Sequence, residues 1–196
     1  MSFLSLPVRI VAAAVVLIAG LCGVLVNESV QRAQGTEVVL RVQGVDPRNL
    51  LTGHYVALRF SEPLPAGAAC PDGMEDLGAM RSRDLKPWLA LKVIGGQARV
   101  VGVGATRDAA KAFGSLQVQG SVSCDPDTAD DPRALQLDIG IERFHAAQKD
   151  AEALQTALRG STDETPHLAS VSIGKDGRAR LKGLRINGKA YDLAWW

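Results

Sequence analysis

Residues Asp46–Phe60 read DPRNLLTGHYVALRF, and their reading decides the fold. Pro47 has no N–H to give a ladder and a fixed φ, so Asp46-Pro47 ends whatever strand precedes it. Arg48, Leu50 and Leu51 follow, then a Thr52-Gly53 break. From His54 the residues alternate: Val56, Leu58 and Phe60 share one face, and Tyr55, Ala57 and Arg59 the other. The stretch is a turn feeding a half-buried strand. Upstream, Thr36–Val45 (TEVVLRVQGV) alternates in the same way, with Val38, Leu40 and Val42 on one side. Two such strands hinged on one turn open an antiparallel sheet.

The rest of the chain repeats that grammar. Glu62–Lys86 is punctuated by Pro and Gly and reads as a loop, with a turn of helix near Glu75–Arg83. Trp88–Val93 and Gln97–Val103 flank Gly95-Gly96, a hairpin signal. A strand over Gly114–Cys124 follows the polar Thr106–Lys111 connection. After a Cys124–Pro132 loop, Leu135–Arg143 is expected as one strand. His145–Arg159 changes to helical spacing, with Ala147, Ala151, Leu154 and Leu158 on one face and Gly160 as its stop. His167–Ile173, Arg178–Ile186 and Lys189–Leu193 close the chain, separated by Asp176-Gly177 and Asn187-Gly188, pairs that hairpin turns prefer. The expected fold is mainly β: about eight strands in an antiparallel barrel or sandwich, with one short helix.

One N-terminal transmembrane helix precedes that domain. Ile10–Val26 (IVAAAVVLIAGLCGVLV) carries no charge and no Asn, Gln or Pro. As a helix it rises about 26 Å, and Val8 with a snorkelling Arg9 extends it toward the roughly 30 Å hydrocarbon core. The run exceeds the apolar core of a cleaved signal peptide, and only Ala33-Gln34-Gly35 offers a cleavage site. Leu21 before Cys22 does not suit lipid modification of that cysteine. An uncleaved signal anchor is therefore preferred over either alternative. Arg9 before the span orients the N-terminus to the cytoplasm. The organisation expected is residues 1–35 as cytoplasmic start, anchor and connection, and 36–196 as a periplasmic domain on a single-pass inner-membrane protein. Cys70 and Cys124 both border loops, which in an exported domain suggests a disulfide, the alternative being two free thiols.

Among 196 residues, 22 basic and 21 acidic side chains leave a formal charge of +1, and aromatics make up 5%. A nucleic-acid partner is not expected, because neither a concentrated basic face nor a stacking platform is present.

The stretch Gly53-His54-Tyr55-Val56-Ala57-Leu58-Arg59-Phe60 resembles the signature of the bacterial GDYXXLXY family, Gly-Asp-Tyr-x-x-Leu-x-Tyr. Ile139-Gly140-Ile141-Glu142-Arg143-Phe144 is similar to that family's later Gly-Ile-Glu-Arg segment, and Gly177–Leu184 with Asn187-Gly188-Lys189 to its closing hairpin. The resemblance runs from Thr36 to Tyr191. His54 stands where the family has Asp, and Phe60 where it has the final Tyr. The resemblance implies a membrane-anchored protein with a multi-spanning inner-membrane partner, and it assigns no activity.

Candidate chemistry is thin. His54 at a strand start reads as a hydrogen-bonded structural residue rather than a ligand, since no second ligand lies at useful spacing. His145 and His167 are isolated in sequence. Asp46, Arg48, Glu142 and Arg143 pair carboxylates with guanidiniums, which suits loop-fixing ion pairs more than proton transfer. Asp125, Asp127, Asp130 and Asp131 resemble a calcium loop only faintly, with two prolines and no turn glycine. No serine carries a flanking base. Asp46, Pro47, Arg48, Leu51, Gly53, His54, Tyr55, Leu58, Phe60, Glu142 and Arg143 are thus read as a folding and docking element. No cofactor or metal is expected. The reading leans away from an enzyme, a hydrolase or ligand-binding module near the motif loop being the alternative.

Overall fold

The computed structural model describes residues 6–45, 55–65, 68–74, 86–124, 134–145, 153, 154, 156–158 and 166–192. The motif residues Asp46, Pro47, Arg48, Leu51, Gly53 and His54 lie outside them, as do the Glu75–Arg83 turn and the acidic loop.

Helix α1, Leu6–Gln34, runs 29 residues, about 43 Å at helical rise. It is long and apolar enough to cross a membrane, and its apolar side chains from Ile10 to Val26 are exposed. The expected polar connection after Val26 is helical to Gln34 instead. Glu28, Gln31 and Arg32 turn toward the β domain and are partly covered, so tertiary contact holds a polar segment in helix. Gly35 ends it, its N–H donating to the Gln31 carbonyl at 3.1 Å. A Cβ on Gly35 would collide with Ser172 Oγ and the Ile173 carbonyl. Only glycine lets the chain pass that close to the neighbouring strand.

The β domain holds eleven strands among the described residues: β1 Thr36–Val45, β2 Tyr55–Pro63, β3 Trp88–Ile94, β4 Gln97–Gly104, β5 Leu116–Gln119, β6 Ser121–Cys124, β7 Ala134–Asp138, β8 Arg143–His145, β9 His167–Ile173, β10 Ala179–Ile186 and β11 Lys189–Asp192. One sheet runs β11-β10-β9-β1-β2-β7-β6, with β8 also paired to β2; the other runs β4-β3-β5. Every ladder pairing is antiparallel. The sheets stack in a sandwich-like manner and are not closed into a barrel.

Several expected boundaries move. β2 continues through Ser61 and Glu62 to Pro63, pairing with β7 where a loop was expected. Gly114–Cys124 is two strands: β5 pairs with β3, and at Gly120 the chain crosses to the larger sheet, where β6 pairs with β7. The Thr106–Lys111 connection contains a helical turn, α2 (Arg107–Lys111), capped by Thr106 Oγ1 accepting from the Ala109 N–H at 3.2 Å. Leu135–Arg143 breaks after Asp138. His145 belongs to β8 rather than to the following helix, and helical residues appear at 153, 154 and 156–158.

Between the sheets lies one apolar core. Val38, Leu40 and Val42 of β1 and Val56, Leu58 and Phe60 of β2 face into it, as their alternation requires. Leu158 is buried as well and sits where a Cβ on Gly44 would be, so the helical segment rests on β1 at its one bare position. Phe60 is fully buried. A ring without a hydroxyl suits that place, since a buried tyrosine O–H would need a partner. Phe60→Ala should cost about 3–5 kcal/mol and Leu58→Ala about 2–5 kcal/mol. Denaturant unfolding in detergent measures both, and a loss below 1 kcal/mol at either would contradict this packing.

Candidate functional site at the motif junction

The two motif segments meet where the large sheet divides. β2 pairs with β7 over Phe60–Pro63 and with β8 over Tyr55–Ala57. Between them the Leu58 N–H donates to the Glu142 carbonyl at 2.8 Å. The connection from β7 to β8 turns on Gly140, whose φ of 84° favours glycine. The Glu142 carboxylate closes the turn on itself: Oε1 accepts from the Ile139 N–H at 2.6 Å and the Gly140 N–H at 3.1 Å. Charge-assisted bonds to two backbone donors fix the turn that the Gly-Ile-Glu sequence makes. Beside it opens a cleft of about 320 Å³ lined in part by Arg59, Ser123, Gln136, Asp138 and Glu142.

At the opposite end of β1 the helix meets the domain. Arg180 of β10 is 7% exposed. Its Nε and Nη2 donate to Glu28 Oε1 and Oε2 at 2.5 and 2.9 Å. Nη1 and Nη2 also donate to Asp176 Oδ1 and Oδ2 at 3.1 and 2.9 Å. The fork of a guanidinium suits two carboxylates in this way, where a lysine would not. The Arg180 hydrogen bond, ahead of the opposing effect of burial, holds the Asp176 carboxyl below its ordinary value. Arg32 Nη2 donates to the Lys182 carbonyl at 3.3 Å, and Lys182 Nζ reaches Glu37 Oε2 at 2.8 Å. The helix end is thereby clamped to the β9–β10 hairpin.

A family model described as GDYXXLXY protein matches residues 17–184. The chain belongs to the GDYXXLXY family. The match starts inside α1 and stops at Leu184, so the helix's second half belongs to the family pattern while Asn187-Gly188-Lys189 falls beyond it. No curated protein matches, and no solved structure matches.

For this GDYXXLXY protein the structure brings Leu58 and Glu142 together, with Phe60 two residues along the same strand, and leaves other expectations apart. Arg143 pairs in register with Ala57, and Tyr55 with His145. Asp46 and Arg48 lie outside the described residues. Cys70 and Cys124 form a disulfide with Cα atoms 6.1 Å apart. Cys22 is a free, exposed cysteine on α1. Among the described residues no three of His, Cys, Asp and Glu gather as a metal site.

Two titratable groups away from solvent, one partly and one fully buried, were not legible. Glu62, expected in a loop, lies on β2 between the sheets; its Oε2 accepts from the Val100 N–H at 3.1 Å, and Arg99 Nη1 is 3.8 Å from Oε1. Burial pushes its carboxyl above the ordinary value, against the pull of Val100 and Arg99. A water-sized cavity of about 20 Å³ adjoins it, lined by Arg41, Phe60 and Gln97 among others. His167 starts β9 and is fully buried, with neither ring nitrogen in a hydrogen bond. Burial lowers its pKa, and the Ala157 backbone opposes that shift.

A histidine whose native pKa lies below its ordinary 6.5 stabilises the fold fully above that value. The contribution is lost as pH falls through the native pKa, because the unfolded chain then binds more protons. Thermal stability should therefore drop between pH 7 and 5, and His167→Leu should flatten that slope. An unchanged slope in the variant would remove His167 as its cause.

Proposed function

We propose that this GDYXXLXY protein is a membrane-anchored periplasmic interaction subunit, whose β sandwich is held over the inner membrane to dock a multi-spanning membrane protein. The observation that carries this reading is the clamp. An apolar helix with exposed sides continues unbroken into a polar end, and that end is tied through Arg180 to the sheet. A flexible tether would let the domain wander. A clamped helix gives it one height and tilt, which serves a subunit that must meet a partner fixed in the same membrane. The Cys70–Cys124 disulfide supports the oxidising side of the membrane. The open cleft beside Arg59 and Glu142 supports a second reading, a ligand-binding module at the motif junction.

Reporter fusions after Gly35 should be active only in the periplasm, and the mature chain should keep Met1. Mild detergent extraction should bring down a stoichiometric multi-spanning protein with the full chain. An N-terminus near Thr36, or a chain that purifies alone after in-cell crosslinking, would overturn the proposal. Non-reducing mass mapping should show Cys70 joined to Cys124, and Cys124→Ser should cost about 2–4 kcal/mol. Alkylation of both thiols in the folded, exported protein would rule out the disulfide.

A further inference from the structure

The clamp fixes more than the tilt of the domain; it fixes which part of the domain lies nearest the bilayer. Val26 is the last residue of the apolar run, and Glu28 lies two residues on, about 3 Å along the helix. The headgroup layer on each side of a bilayer is roughly 5–8 Å thick. A Glu28 carboxylate bonded to Arg180, itself bonded to Asp176, holds the β9–β10 turn within side-chain reach of that layer.

The residues at this end have the chemistry of a lipid interface. Lys175 and Arg178 flank the turn and are exposed. Asp176 between them is engaged by Arg180 and by the Arg178 N–H at 3.0 Å. Arg107 Nη1 donates to the Lys175 carbonyl at 2.8 Å, and its guanidinium lies 5.4 Å from the Trp88 ring centre. Trp88 packs over Gly177, where a Cβ would strike its ring. An indole beside cations at headgroup depth is the pattern of a membrane–water boundary. Lysine and arginine there attract an anionic leaflet.

We infer that the 175–178 turn, with Arg107 and Trp88, is a binding surface for anionic phospholipid headgroups. Lys175 and Arg178 contact the phosphates. This rests on the reading that α1 spans the membrane. The surface presses the domain onto the leaflet, so the clamp and the lipid hold it from two sides.

The full chain, in a Cys22→Ala background with Cys70–Cys124 oxidised, is reconstituted in phosphatidylglycerol–phosphatidylcholine vesicles. A nitroxide is attached at Lys175→Cys or, as a distal control, at Lys189→Cys. The eight residues of β10 lie between the two sites, about 25 Å of strand. Nickel carried on a chelating lipid should broaden the label at 175 and leave the label at 189 sharp. In native mass spectrometry of the unlabelled chain, phosphatidylglycerol should outcompete phosphatidylcholine, and Lys175→Gln/Arg178→Gln should lose that preference several-fold. Equal broadening at both sites overturns the inference while the anchor stands. Unaltered lipid preference in the double variant overturns it as well. A carbonate wash that strips the protein from the vesicles overturns the anchor and the inference together.

Discussion

The Arg180 guanidinium sits among four carboxylate oxygens, two from Glu28 on the helix and two from Asp176 on the β9–β10 turn. The helix and the sandwich are joined in sequence only through Gly35. Arg180 adds a second connection and Arg32, donating to the Lys182 carbonyl, a third, and attachment at several points stops the swivel that one would allow. At 7% exposure the cation has little water of its own, so removing both carboxylates would strand a buried charge, a loss of roughly 3–5 kcal/mol. Glu28 is about half exposed, and its share of that energy is screened accordingly. Losing Glu28 alone leaves Asp176 to neutralise the arginine, so the domain keeps its charge balance and loses the charged tie to the helix, leaving the Arg32 hydrogen bond to the Lys182 carbonyl.

The motif segments answer to a different constraint, at the other end of β1. There the large sheet must split, because β2 pairs with two strands that leave in sequence from one turn. Glu142 supplies the hydrogen bonds that the divided ladder lacks, to the turn through its carboxylate and to Leu58 through its carbonyl. Leu58 and Phe60 anchor the same strand in the core. At these described positions Glu142 satisfies backbone donors and Leu58 and Phe60 pack in the core.

Much of this was legible in the chain. Period-two alternation marked β1, β2 and the closing strands, and the Gly-Gly, Asp-Gly and Asn-Gly turns marked the hairpins between them. What escaped was set by distance in sequence. Glu28 two residues past an apolar run, and an Asp-Gly turn four residues before an arginine, are each visible; their pairing across 152 residues is not. Glu62 looked like loop because Pro63 follows it, yet a proline can end a strand without breaking it. Leu135–Arg143 looked continuous because the Gly140 turn leaves the apolar alternation intact. His167 gave no sign of burial, since that comes from the helical segment packed across β9 and β1.

Whether helix and sandwich move as one body is best tested by a distance distribution. Nitroxides at Val16→Cys on the helix and Lys189→Cys on the sandwich, in a Cys22→Ala background and lipid nanodiscs, are measured by pulsed electron resonance. One narrow distribution is expected, which Glu28→Ala broadens while the thermal unfolding of the domain changes little. A distribution already broad in the unsubstituted clamp, or one that Glu28→Ala leaves narrow, would contradict it.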